Sequence, residues 1–129
     1  METGIKVITA LSGVTATTTS NKIFVGGAKR IGVQLRRADN AGGTSAFAIK
    51  ASLEPADTTT PTMTALNLWI DNVTNDNTKT LTRVNGTSIA NADADKFLFL
   101  DPCACISWIE ITVTETSDGT HSAFVYLEY

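Results

Sequence analysis

The sequence predicts an all-β fold, a single-domain β-sandwich of jelly-roll or immunoglobulin-like type with about eight antiparallel strands. Apolar and polar residues alternate along many short segments, which is the period of a strand with one buried face. About one residue in six is threonine, which with valine and isoleucine favours extended backbone. Apolar residues nowhere recur at i, i+3, i+4 and i+7 over several turns. A single helical turn is allowed at 91–96.

The chain of 129 residues is predicted to form one domain, long enough to bury roughly two thirds of its unfolded surface. Residues 21–129 are assigned to the sandwich. The polar, threonine-rich segment 1–20 is either an N-terminal arm or a first strand followed by a loop. Its composition, with Ile5, Val7 and Leu11 among threonines, can add a strand to a neighbour. Removing it is predicted to leave the sandwich folded but to weaken attachment to a larger protein particle.

Two strand–loop–strand units give the core. Alternating apolar residues run from Arg30 to Leu53 on both sides of a polar loop at 38–43. The same strand–loop–strand pattern recurs from Ile109 to Tyr129. The two units are predicted to be similar hairpins that face each other across one core. The predicted core residues are Ile31, Val33, Leu35, Phe47, Ile49, Leu53, Ile109, Ile111 and Val113.

The remaining segments add shorter elements. Residues 23–25 are predicted to be a short strand ended by Gly26 and Gly27, and 54–64, with two prolines, a connection that crosses between sheets. Residues 66–70 and 80–84 are predicted to be two strands that pair across a long polar turn. Asn85-Gly86 is a turn signal, followed by further strands up to residue 114.

Charge is distributed unevenly along the chain. The net charge of -3 and the pI near 5.0 argue against a nucleic-acid binder. Up to Lys50 there are seven basic and two acidic residues, and beyond it three and eleven, so the halves carry opposite charge. Either these charges mix when the sheets pack, or a basic edge with Arg30 and Arg36 meets a neighbour's acidic edge. The second alternative predicts a head-to-tail ring, a trimer.

No segment is predicted to enter a membrane or to act as a targeting signal. Residues 1–4 are acidic rather than basic, and 5–11 is a short apolar stretch interrupted by Lys6 and Thr9. The protein is therefore expected to be soluble and made in a cytoplasm.

No catalytic, cofactor-binding or metal-binding residues are predicted, so the protein is not expected to be an enzyme. His121, the single histidine, is predicted to lie solvated in a loop, and Ser122 beside it points to the opposite face. Residues 71–77 are either a calcium site or a hydrogen-bonded turn, and lack the Asp-x-Asp-x-Asp-Gly pattern. Cys103 and Cys105 are predicted to be free, buried residues rather than zinc ligands.

Aromatic residues complete the candidate interface. Trp69 and Trp108 are predicted to lie on the less buried faces of their strands. With Tyr126, Arg30 and Arg36 they are the candidate contact residues. They either fill a subunit interface or stack on sugar rings, as in a carbohydrate-binding module. The closing strand is apolar on both faces, which predicts cover from a neighbouring subunit.

Several strings resemble small virion proteins of tailed bacteriophages. They are Gly27-Ala28-Lys29-Arg30, Val33-Gln34-Leu35, Gly43-Thr44-Ser45-Ala46-Phe47, Asp71-Asn72-Val73-Thr74-Asn75, Thr80-Leu81-Thr82-Arg83-Val84, Val113 to Thr120 and Glu128-Tyr129. The resemblance implies a structural virion protein made in the host cytoplasm, most simply a capsid decoration or cement protein on the outer head shell. It implies the major capsid protein or another virion protein as partner. A tail, neck or fibre component is the alternative within the virion.

Overall fold

A computed structural model describes residues 4–38, 44–65, 68–75, 78–84, 86–90, 94–100, 106–115 and 119–129. Every regular element within these ranges is a β-strand, as the sequence predicts. The strands are β1 (Ile5–Val14), β2 (Thr18–Thr19), β3 (Ile23–Phe24), β4 (Arg30–Ala38), β5 (Thr44–Ser52), β6 (Thr64–Ala65), β7 (Leu68–Asn75), β8 (Thr78–Val84), β9 (Gly86–Ala90), β10 (Ala94–Leu100), β11 (Trp108–Glu115) and β12 (Thr120–Glu128).

Two sheets form the sandwich. Sheet A has the strand order β1-β12-β4-β10. In sheet B, β11 pairs with β5 at the centre, β2 and β3 pair with the free side of β11, and β6 and β9 pair with β5. Strands β7 and β8 form a separate two-stranded hairpin, which confirms the predicted pairing. The predicted turn at 71–77 was too long, because residues 71–75 belong to β7 and pair with β8. All of these pairings are antiparallel.

The order of pairing is that of a jelly roll. β1 pairs with β12, β2 and β3 with β11, β4 with β10, and β5 with β9, so the first strand meets the last and the pairs nest inward. A long antiparallel ribbon folded over on itself gives this nesting. With β2 and β3 counted as one interrupted strand, the ribbon has the eight strands that the sequence predicts. β6 and the β7–β8 hairpin are an insertion between β5 and β9.

The two predicted hairpins are instead arches that cross between the sheets. β4 pairs with β12 over its whole length and β5 pairs with β11, so each arch pairs with the other and not with itself. The prediction of hairpins was wrong because alternation identifies the buried face of a strand and says nothing about which strand hydrogen-bonds to it. The prediction that the two units face each other across the core was also wrong, since each spans both sheets and they lie side by side around the core.

The core lies between the two sheets. Eight of the nine predicted core residues are buried, among them Ile109, Ile111 and Val113, each 0% exposed. Leu53 is 66% exposed and is a correction: β5 ends at Ser52, and beyond that residue the alternation no longer applies. The core also contains Leu11, Ile23, Val25, Ile106, Ala123, Val125 and Leu127.

Segment 1–20 contributes to both sheets. β1 is the first strand of sheet A, and Leu11 lies in the core with 3% exposure. Ser20 bridges to sheet B: its backbone N–H donates to the Ile111 carbonyl at 2.8 Å and its Oγ accepts from the Ile111 N–H at 2.9 Å. The structure therefore shows a first strand rather than an arm.

Two local predictions were wrong. The 54–64 connection leads from β5 to β6, which pairs with β5 itself, so it stays on sheet B. At the allowed helical turn, residues 94–96 belong to β10, and 91–93 lie outside the described residues. The short strand at 23–24 and the turn that follows it are confirmed.

Candidate interface on the outer face of sheet A

The outer face of sheet A carries large side chains. Along β12 buried and half-buried residues alternate strictly, with His121, Ala123, Val125 and Leu127 facing the core. Phe124 and Tyr126 therefore face outward, where they pair in register with Gln34 and Gly32 of β4. On the other side of β4, Gln34 and Gly32 pair in register with Phe97 and Phe99 of β10.

Tyr126 is fixed on this face by a hydrogen bond. Its hydroxyl donates to Gln34 Oε1 at 2.8 Å, and Gln34 is 9% exposed although it lies on the outward side of β4. The phenol is held in one orientation with its ring half-buried, so it offers a rigid contact surface at little entropic cost on binding.

Phe124 carries a cation above its ring. The guanidinium carbon of Arg36 lies 5.6 Å from the ring centroid, within the range of a cation–π contact. Arg36 is exposed and follows the outward alternation of β4. The structure thus brings three of the predicted interface residues, Arg30, Arg36 and Tyr126, to one face.

Ile5 and Val7 extend the same face across β1. They pair in register with Glu128 and Tyr126 and are 71% and 53% exposed. Both residues belong to the segment predicted to add a strand to a neighbour, although neither was among the candidate interface residues. Their signal was the alternation of Ile5 and Val7 with Lys6 in a segment that was too polar to be assigned to the core.

The opposite charges of the two halves mix at this face. Arg30 Nε lies 3.5 Å from Glu128 Oε2, and both side chains are partly solvated at 80% and 38% exposure. Such an exposed pair is worth at most about 1 kcal/mol. Because β4 from the basic half lies between β12 and β10 from the acidic half, no separate basic edge is formed by Arg30.

Trp108 lies on the opposite sheet. It is half-buried on the outer side of β11, where its indole N–H donates to the Pro55 carbonyl at 3.2 Å. Its ring meets Phe24 edge to face, with centroids 5.2 Å apart and an angle of 64°. The Phe24 ring rests on Gly26, where a Cβ would lie 2.5 Å from Phe24 Cζ, so a larger residue there would displace the ring. The Trp69 side chain lies outside the described residues.

The rest of the outer face of sheet B, among the residues whose side chains are described, is polar or small, and Lys50 and Glu110 pair on it in register. Thr112 and Thr114 of β11 pair in register with Ala48 and Ala46 of β5, and the hydroxyls of Thr19 and Thr112 are 3.0 Å apart. Contact surfaces are enriched in aromatic residues, so the aromatic outer face of sheet A is the better interface candidate.

An open groove of about 440 Å³ lies beside β5 and β6 and is lined by Leu53, Ile106 and Ala65. Glu54 is its acidic group, and its Oε2 accepts hydrogen bonds from Ser52 Oγ at 3.0 Å and from the Thr62 N–H. The carboxylate therefore closes the 54–62 loop. The hydrogen bonds of the Glu54 carboxylate thus hold the loop in place, which is a structural role.

His121 is a core residue, and its assignment to a solvated loop was wrong. It lies in β12 with 0% exposure, Nδ1 is 3.1 Å from the Val14 carbonyl oxygen, and the ring packs edge to face on Phe47 at 6.1 Å. A carbonyl only accepts, so Nδ1 carries the hydrogen. Beside it, Arg37 is 1% exposed and pairs with it in register. Ser122 points to the opposite face, as predicted.

Replacing His121 with alanine is expected to lower the free energy of unfolding by about 3 kcal/mol, because the change leaves a cavity and a buried carbonyl without a donor. The sequence-based prediction for this change concerned function: particle assembly and binding nearly unchanged. Urea denaturation measures the difference, and Ser122→Ala on the outer face of the same strand is the control, with an expected loss below about 1 kcal/mol. Equal losses in the two variants would contradict the core assignment.

No group of three or more His, Cys, Asp or Glu side chains in the described ranges could hold a metal ion. The alternative calcium segment 71–77 and the two cysteines fall on residues whose side chains are outside the description. The searched part of the chain also contains no helix long and apolar enough to cross a membrane.

Comparison with solved structures shows a similarity of fold. No protein-family model matches the chain, and no curated protein matches it. Among solved structures, the SPBc2 prophage-derived protein YomS is similar with a TM-score of 0.64 and 13% sequence identity. The match covers 98% of this chain and 94% of that one. At this identity the similarity shows the fold.

Proposed function

We propose that the protein is a structural component of a tailed bacteriophage particle, specifically a homo-oligomeric decoration or cement protein on the outer head shell. The aromatic outer face of sheet A carries the proposal, because a folded domain that exposes such a surface binds another protein through it. The similar fold of a prophage-derived protein and the resemblance of the strings around β4, β8 and β11 support a phage origin. The proposal includes no catalytic activity and no cofactor, nucleic acid or membrane.

The partners in this proposal are further copies of the chain and the major capsid protein or another virion protein. The predicted trimer rested on a basic edge that meets the acidic edge of a neighbour. Arg30 already faces Glu128 of its own chain, so the charge partition no longer supports a trimer. Phe124, Tyr126, Ile5 and Val7 support self-association through apolar contact instead. Light scattering on the purified protein gives the number of subunits.

Electron cryomicroscopy of phage particles with and without the protein tests the location. We expect the density that depends on the protein to cover the head. Density on the tail, neck or fibres would favour the alternative virion location, and particles that lack the protein altogether would contradict the proposal.

Two matched substitutions test the binding face. Phe124→Ser on sheet A is expected to weaken cosedimentation with capsids at least about tenfold, since a half-buried aromatic residue at an interface is typically worth more than 1 kcal/mol. Trp108→Ser on sheet B makes the same chemical change and is expected to leave capsid binding unchanged. Circular dichroism confirms that both variants are folded. Loss of binding in Trp108→Ser, with binding kept in Phe124→Ser, would place the contact on sheet B and contradict the proposed binding face.

A carbohydrate-binding module is the second candidate, since jelly rolls are also found among lectins. Trp108 and Phe24 are the aromatic residues that would contact a sugar. Their rings stand at 64° and the indole N–H is already engaged by Pro55, so they form no flat platform. Specific retention on a glycan array that disappears in Trp108→Ser would favour this candidate.

A further inference from the structure

The outer edge of β1 is an open strand edge. β1 is the terminal strand of sheet A, and no strand in the described part of the chain pairs with its far side. The stretch from Ile5 to Thr9 runs in unbroken register with β12, whereas bulges interrupt the register after Thr9. A regular edge with exposed apolar side chains is a template for adding another strand.

The hydrogen bond at the end of this ladder shows which backbone groups are unused. Tyr129 N–H donates to the Gly4 carbonyl at 3.1 Å, so Gly4 and Tyr129 form a hydrogen-bonded pair. In an antiparallel ladder such pairs alternate with pairs that do not exchange bonds. Lys6 and Ile8 therefore direct their N–H and C=O groups at β12, and Ile5, Val7 and Thr9 direct theirs away from it.

We propose that the β1 edge binds the β1 strand of a second copy of this chain, antiparallel and with Val7 opposite Val7 of the other copy. This register pairs Ile5 with Thr9 of the partner copy and forms about six backbone hydrogen bonds. It joins the two sheets A into one continuous sheet of eight strands. The inference rests on the self-association in the proposed function and names its interface.

A second copy fits this edge because two β1 edges related by a two-fold axis are complementary to each other. A two-fold axis at Val7 brings Ile5 and Val7 of both copies onto one face, next to Tyr126, and removes side chains that are 71% and 53% exposed from water. Lys6 then lies opposite Ile8 of the partner copy and not opposite Lys6. An axis at Lys6 would put like charges directly across from each other, which is destabilising.

Val7→Pro separates the proposed pairing from the fold. Proline removes an N–H that points away from β12, so the β1–β12 ladder keeps its hydrogen bonds while the two-fold contact loses one donor from each copy. We expect light scattering to show dimerisation weakened about 100-fold, with an unchanged circular dichroism spectrum. Val7→Thr keeps the N–H and the branched side chain and is expected to dimerise. Lys6→Pro removes an N–H that β12 uses and is expected to destabilise the monomer.

Cysteine cross-linking tests the register without a proline. In a background with Cys103→Ser and Cys105→Ser, mild oxidation is expected to link Val7→Cys chains in pairs, since facing Cα atoms about 5.5 Å apart lie within the range of a disulfide. Thr9→Cys, exposed on the same face, is expected not to link to itself. Linkage through Thr9→Cys, or through neither position, would overturn the pairing.

The outcomes separate this inference from the proposed function. An oligomer that persists in Val7→Pro overturns the β1 contact and leaves the virion role intact. A β1-linked dimer that is absent from phage particles overturns the virion role alone. A wild-type chain that stays at its 13.7 kDa monomer mass at high concentration overturns the self-association on which both depend.

Discussion

A chain without residues 1–20 is expected to lose its cooperative unfolding transition. The deletion removes the β1 strand, the buried Leu11 and both hydrogen bonds between Ser20 and Ile111. It also uncovers the edge of β12, whose partners on that side would be lost. Because whole domains are stable by only about 5–15 kcal/mol, the loss of an entire strand exceeds what the sandwich can tolerate.

Thermal and urea denaturation followed by circular dichroism measure this effect. Deletion of residues 1–3, which keeps the whole of β1, is the control and is expected to unfold as the full chain does. A truncated chain lacking 1–20 that unfolds cooperatively at the same denaturant concentration would contradict the role of β1. It would restore the sequence-based prediction of a dispensable arm.

Ile111→Ala is expected to lower the free energy of unfolding by about 2–5 kcal/mol. Ile111 is 0% exposed at the middle of β11, where it pairs with Ile49 of β5 and faces the core residues of sheet A. Truncation leaves a cavity that the two packed sheets cannot close, because strands on both sides hold the backbone in place.

Urea denaturation gives the difference, and Thr114→Ala, an exposed residue of the same strand, serves as its control. The control is expected to change the stability by less than about 0.5 kcal/mol. A loss of that small size for Ile111→Ala would remove Ile111 from the core.

Alternation predicted the buried faces well and the strand partners poorly. Ile31, Val33 and Leu35 are buried as expected, because a period of two with one apolar face leaves little freedom in which side faces inward. The partners of β4 and β5 depend on contacts far apart in sequence, so the same alternation is compatible with a hairpin and with an arch. The nested order of the jelly roll was one of two sandwich types that the pattern allowed.

The candidate interface was predicted in part. The alternation placed Tyr126 with Phe124 on one face of the closing strand and Ala123, Val125 and Leu127 on the other, and the structure shows the second set facing the core. The position of Trp108 on the other sheet could not be predicted, because alternation assigns a side chain to the outside of its own sheet without saying which sheet that is. His121 was assigned to a solvated loop because it is polar. Its position in the alternation places it on the same side of the strand as Ala123 and Val125, which is the buried side.

The nested ribbon has a consequence for how the chain folds. β12 lies between β1 and β4 and is synthesised after both, so residue 5 finds its partner only when residue 128 has been made. Contacts this distant in sequence slow folding, because the chain must close a long loop before they stabilise it. Until β12 has been made, β1 and β4 each present an unpaired edge, which is the feature that promotes aggregation. A nascent chain stalled before Thr120 would therefore be the most aggregation-prone form of this protein.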